Sequence, residues 1–129
     1  MNRKGFTLVE IMIVVAIIAL LAAIAIPNLL RAKSASNEAI AKSNLKTLAT
    51  ASETYSMVTG EYPLNEAALK AATPPYLNSA YCDKTVSGYE YTCDFKDDGS
   101  GYTVVATPVP GGVAGTVTFT LSTGGVMSP

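Results

Sequence analysis

Hydrophobic and polar positions fall into three regimes along the 129 residues. From Ile11 to Ile26 no side chain is polar, and Phe6, Leu8 and Val9 extend the run to 21 residues, about 31 Å of helix at about 1.5 Å per residue. A helix of that length crosses the hydrocarbon core of a bilayer. Beyond Pro27 the pattern turns amphipathic. Ala41, Leu45, Leu48, Ser52 and Tyr55 recur at spacings of four and three, a stripe that a small sheet can cover. Lys42, Lys46, Thr50 and Glu53 are assigned to the opposite side. With no further proline or glycine before Gly60, one helix is predicted from about Phe6 to Met57. Pro27 removes one backbone donor and should kink it, and Gly60 supplies a left-handed stop.

In the last third the period falls to two. The stretches SGYEYTCDF, GYTVVATPV and GTVTFTLS are rich in tyrosine, valine and threonine, and DDGSG and PGGVAG separate them as turns. They predict three antiparallel strands, with Thr123, Gly124 and Gly125 turning into a short fourth segment. Tyr102, Val104 and Ala106, like Val117, Phe119 and Leu121, form a face that would lie on the long helix. Between helix and strands, Asn65 is placed to cap a short helix, Glu66 to Ala71, that Pro74 and Pro75 follow. The fold class is therefore α+β, a long kinked N-terminal helix packed against a small antiparallel sheet.

Glu10 is out of place in the apolar run, because a carboxylate in hydrocarbon costs several kcal/mol and calls for a partner. Ahead of it stand Arg3 and Lys4, then Gly5, Phe6, Thr7, Leu8 and Val9. This block resembles the class III signal sequence of type IV prepilins and of type II secretion pseudopilins. The later run Gly60, Tyr62, Pro63 is also similar to a G-x-Y-P pattern common after the long helix of that family. The resemblance implies that a prepilin peptidase cuts between Gly5 and Phe6 and N-methylates Phe6. It implies the pilin fold, with a leader at 1–5, a membrane and assembly segment at 6–27, an amphipathic helical half at 28–59 and a head at 60–129.

Glu10 then acquires a partner. Among packed copies of the apolar helix, the new amino terminus of Phe6 can form charge-assisted hydrogen bonds with the carboxylate, and Thr7 can add a hydroxyl. Ala19 and Ala23, in a small-xxx-small arrangement, offer close approach between helices. A rival targeting reading remains: Ala23, Ile24 and Ala25 fit the cleavage site of an ordinary secretory signal, which would free a soluble binding domain after Ala25.

Charge alters the picture in one respect. The chain has nine basic and ten acidic residues, a net charge of −1, and loss of Arg3 and Lys4 leaves −3 in the mature chain. Arg31, Lys33, Lys42 and Lys46 make the stem basic, whereas Thr47 to Pro129 holds three basic and eight acidic residues. Such a balance does not suggest nucleic acid as the main partner. Arg31 and Lys33 suit lipid head groups or the acidic heads of neighbours. Cys82 and Cys93 form an even, closely spaced pair, which reads as a disulfide in a head outside the cytoplasm.

The chemistry candidates are few. There is no histidine and both thiols read as paired, so no nucleophile and base can be assembled and no catalytic residue is assigned. Asp94, Asp97, Asp98 and Gly99 superficially suggest a calcium loop, but Lys96 stands where an oxygen ligand is needed and no closing glutamate follows. They are read as a turn, with no metal and no cofactor. The resemblance implies a structural subunit of a type IV pilus. It would wait in the inner membrane as a single-pass precursor with its head outside the cytoplasm, and polymerise with identical copies on an ATPase-driven assembly platform. A pseudopilin of type II secretion is the alternative.

Overall fold

The computed structural model describes residues 1–129. Helix α1 runs from Leu8 to Thr59 without a break, Pro27 included. Two compact units divide within it, one of residues 1–33 and one of residues 34–129. In the first unit the large apolar side chains from Phe6 to Leu30 are exposed.

In the second unit α1 buries Ala41, Leu45, Leu48, Ala51 and Ser52, the predicted stripe. The end of α1 is also as expected, since Gly60 has φ +86° and its N–H donates to the Ser56 carbonyl at 2.8 Å. After it, Asn65 caps α2 (Glu66–Ala71) by accepting from the Ala68 N–H at 2.9 Å.

The stripe packs against a five-stranded antiparallel sheet, whose strands lie in chain order: β1 (Lys84–Val86), β2 (Tyr89–Phe95), β3 (Tyr102–Pro108), β4 (Phe119–Ser122) and β5 (Val126–Ser128). Alternation does what period two dictates. Tyr89, Tyr91, Tyr102, Val104, Ala106, Phe119 and Leu121 enter one core with the helix stripe and with Leu69 and Leu77.

The structure departs from expectation at three places. Strand β1 is an addition; it has only three residues and pairs with β2 across Ser87 and Gly88, both at positive φ. Strand β4 starts at Phe119 rather than Gly115, because the residues before it are tied to side chains of α1 and β2. There Glu38 accepts from the Thr116 N–H at 3.0 Å, Asn37 donates to the Val113 carbonyl at 2.6 Å, and Tyr89 donates to the Val117 carbonyl at 3.0 Å. Lastly, Lys42 and Glu53 do not face away from the sheet. They lie on the flank of the stripe, about 100° from its centre, and their long stems reach back around it. The Lys42 ammonium sits 5.1 Å over the Phe119 ring.

Gly115 is buried, and a Cβ there would overlap Glu38 Cγ and the Tyr89 hydroxyl. Gly115→Ala is expected to cost about 1–3 kcal/mol, seen as a lower urea midpoint at unchanged slope in detergent-solubilised chain.

Cys82 and Cys93 are joined by a disulfide across 11 positions, tying the segment before β1 to β2. Glu66 reinforces this join by accepting from the N–H groups of Tyr81 and Cys82. Replacing both cysteines with serine should lower stability by about 2–3 kcal/mol in the loop-entropy account, measured against the oxidised chain by urea unfolding.

Burial raises the phenol of Tyr102 above its ordinary range, and the Glu53 carboxylate raises it further. Burial does the same for Tyr91, and burial followed by Glu38 does so for Tyr89. The folded state thus favours the neutral phenols. Their stabilisation is complete below the unfolded value of about pH 10 and is lost as pH rises beyond it. Alkaline titration should show tyrosinate absorbance of these residues rising together with loss of the head's circular dichroism, above the pH at which a free tyrosine ionises.

Candidate assembly site

The amino-terminal geometry follows from one short motif. Thr7 ends the non-helical lead-in and Glu10 is three residues on, the spacing of a reciprocal capping box. Glu10 Oε2 accepts from the Thr7 N–H at 2.7 Å and from Thr7 Oγ1 at 2.9 Å, while the Glu10 N–H donates to Thr7 Oγ1 at 3.2 Å. The first helical bond, from the Ile11 N–H to the Thr7 carbonyl, measures 3.3 Å.

The sequence predicts a Phe6 amine and a Thr7 hydroxyl as partners of Glu10. In the structure Thr7 supplies both the hydroxyl and the backbone donor. The signal was present as threonine, two residues, then glutamate before an apolar run.

Three consequences concern chemistry. Residues 1–7 precede the helix, so the Gly5–Phe6 peptide bond stands free of it and Phe6 is 86% exposed. Ala23 to Ala25, the rival cleavage site, lies within continuous helix. Beyond Glu10, the side chains of Ile11, Ile13, Val14, Ile17, Ile18 and Leu21 are all at least half exposed, an apolar surface the chain does not bury. Pro27 sits inside α1 near the end of this surface.

A second polar centre lies in the head, and no sequence signal marked it. Glu53 accepts from the Tyr62 hydroxyl at 3.0 Å, from the Tyr102 hydroxyl at 3.0 Å and from the Gly124 N–H at 2.8 Å. One carboxylate thereby joins α1 to the connecting segment, to β3 and to the β4–β5 turn. Asp97 and Asp98 lie in the β2–β3 turn, where Asp98 accepts from the Ser100 N–H at 3.0 Å and Gly99 has φ +68°. Asp94 projects from the exposed side of β2.

Residues 1–26 match the family model of the prokaryotic N-terminal methylation motif. The chain is 46% identical over 68 residues to the type IV wide pilus major component PilA4 of Thermus thermophilus, covering 53% of this chain and 52% of that one. It is 56% identical over 54 residues to the type IV major pilin protein PilA of Myxococcus xanthus, covering 42% of this chain and 24% of that one. It is also 34% identical over 89 residues to the type II secretion system core protein G of Pectobacterium carotovorum, covering 68% and 57%. The matched stretches thus span about half, a quarter and somewhat over half of those relatives.

Proposed function

We propose that this chain belongs to the type IV pilin and type II secretion pseudopilin family and is the structural subunit of a type IV pilus filament. One observation carries the reading: an exposed apolar surface from Phe6 to Ile26, with a single carboxylate near its start beside an accessible Gly5–Phe6 bond. Such a surface is stable only in lipid or against copies of itself.

Cleavage after Gly5 by a prepilin peptidase removes Arg3 and Lys4 and creates an amine at Phe6, next to the residue that already holds Glu10. The precursor is held in the inner membrane by residues 6–27 with its head outside the cytoplasm. An ATPase-driven platform then transfers it into a homopolymer, and Glu10 with the new amine sets the packing register. Arg31 and Lys33 serve at the lipid head groups or against neighbouring heads. The similarity to core protein G over 68% of this chain favours a second reading, a pseudopilin in a short periplasmic fibre.

Mass spectrometry of the cellular protein should find a chain starting at N-methylated Phe6, and electron microscopy of sheared cells should find long filaments that contain it. A chain starting at Ile26 overturns the reading, and a methylated chain confined to the envelope replaces the pilus with the pseudopilus.

A further inference from the structure

The face of the sheet turned away from α1 has an unusual make-up. Strand register places Thr103, Ser122 and Val126 in one row and Val105, Thr120 and Ser128 in the next, with Thr107 beyond Val105 on β3. Across β3, β4 and β5 this face carries hydroxyls and methyls only. The reason lies in the chain: no Asp, Glu, Lys or Arg occurs from Gly99 to Pro129. Every side-chain charge of the head lies at or before Asp98, so acidic side chains reach this face only at its β2 border, as Glu90 and Asp94.

From these facts we infer that the outer face of β3–β5 is a lateral contact between copies of this chain, joining one filament to another. Three arguments select a second copy as the occupant. The mature chain is net negative, so two heads repel wherever their charged surfaces meet, and the uncharged face is where they approach without that cost. A hydroxyl both donates and accepts, so a hydroxyl face complements itself, which a face of carboxylates or ammonium groups does not. The size also fits a contact between polymers. Three strands about 4.8 Å apart and some five residues long give a face on the order of 200 Å², against about 800 Å² per partner in a stable pairwise interface. A single head is therefore held weakly, and the contact gains strength only when repeated along two filaments.

The inference rests on the filament reading, and within one chain this face lies opposite the one that α1 covers. The test uses filaments sheared from cells making the full chain, or Thr120→Glu, Thr107→Glu or Ser79→Glu variants, the last an exposed position on the connecting segment. Wild-type and Ser79→Glu filaments should lie side by side in micrographs and sediment at low speed. The sedimenting fraction should hold or rise as salt goes from about 0.05 to about 0.5 M, because screening weakens the repulsion between heads. Thr120→Glu and Thr107→Glu should yield single filaments of normal length, with the sedimenting fraction down at least about fivefold through loss of the repeated contact. Normal filament length shows that these variants fold.

Bundles that persist in both variants overturn the inference. So do bundles that dissolve in salt, or wild-type filaments that stay single yet adsorb to a neutral polysaccharide. Absence of any wild-type filament is a different failure, since it removes the filament reading itself.

Discussion

Glu53→Ala is expected to destabilise the head by about 3–4 kcal/mol, because it strands three donors at once rather than removing one contact. Tyr102 is the most costly of these, being buried with its hydroxyl aimed at Glu53 Oε1. Tyr62 and the Gly124 N–H are nearer solvent and water can repair them in part. Glu53→Gln keeps one acceptor oxygen and should lose about half as much, since bonds to a neutral amide are roughly half as strong as those to a carboxylate. A double change, Glu53→Ala with Tyr102→Phe, removes the stranded hydroxyl together with its acceptor and should recover about 1 kcal/mol relative to Glu53→Ala alone. Urea unfolding of the four chains in detergent measures this. Equal midpoints for wild type and Glu53→Ala would show that the carboxylate joins nothing of consequence.

Glu10→Gln is expected to reduce surface filaments to a few per cent of wild type or less while leaving cleavage after Gly5 intact. The glutamine separates the helix cap that the structure shows from the charge proposed to act in assembly. Its carbonyl can still accept from the Thr7 N–H and hydroxyl, so the cap of α1 survives. What disappears is the charge that would meet the Phe6 amine in a neighbouring copy. Glu10→Ala removes both and should be no better than glutamine if charge decides assembly. Thr7→Ala instead weakens the cap while sparing the charge, and its filament yield should fall less than that of Glu10→Gln. Immunoblots of sheared filaments, set against total mature subunit, read all three. Normal yield from Glu10→Gln would leave the capping box as the whole purpose of this residue.

How far the sequence revealed the molecule depends on whether a feature is local. The span, the stripe on α1, the Asn65 cap, the Gly60 stop and the alternation at Tyr102 to Ala106 all follow from a few neighbouring side chains, and all were readable. Strand β1 was not, because Lys84 to Val86 is too short for a period to declare itself and gains its identity only from β2. The late start of β4 was likewise hidden, since Glu38 and Asn37 lie more than 70 positions from their partners. For the same reason Glu53 read as one more solvated acid: nothing within a few turns of α1 announces Tyr102 or Gly124. At the amino terminus the reverse happened. Glu10 and the Thr7 hydroxyl are legible together, and the structure adds the Thr7 backbone N–H three residues away.

The strand order has a kinetic corollary. In this sheet each strand pairs with the next along the chain, so no long loop has to close before a ladder can grow. A chain that emerges with α1 leading can add strands in the order in which they appear, each templated by its predecessor. The last piece to arrive, the β4–β5 turn, carries the Gly124 N–H to Glu53 and so ties the newest part of the chain back to the oldest part of the head. A nascent chain stalled before Gly124 would hold most of its sheet but leave that carboxylate without its final donor, which sets the unfinished subunit apart from the finished one.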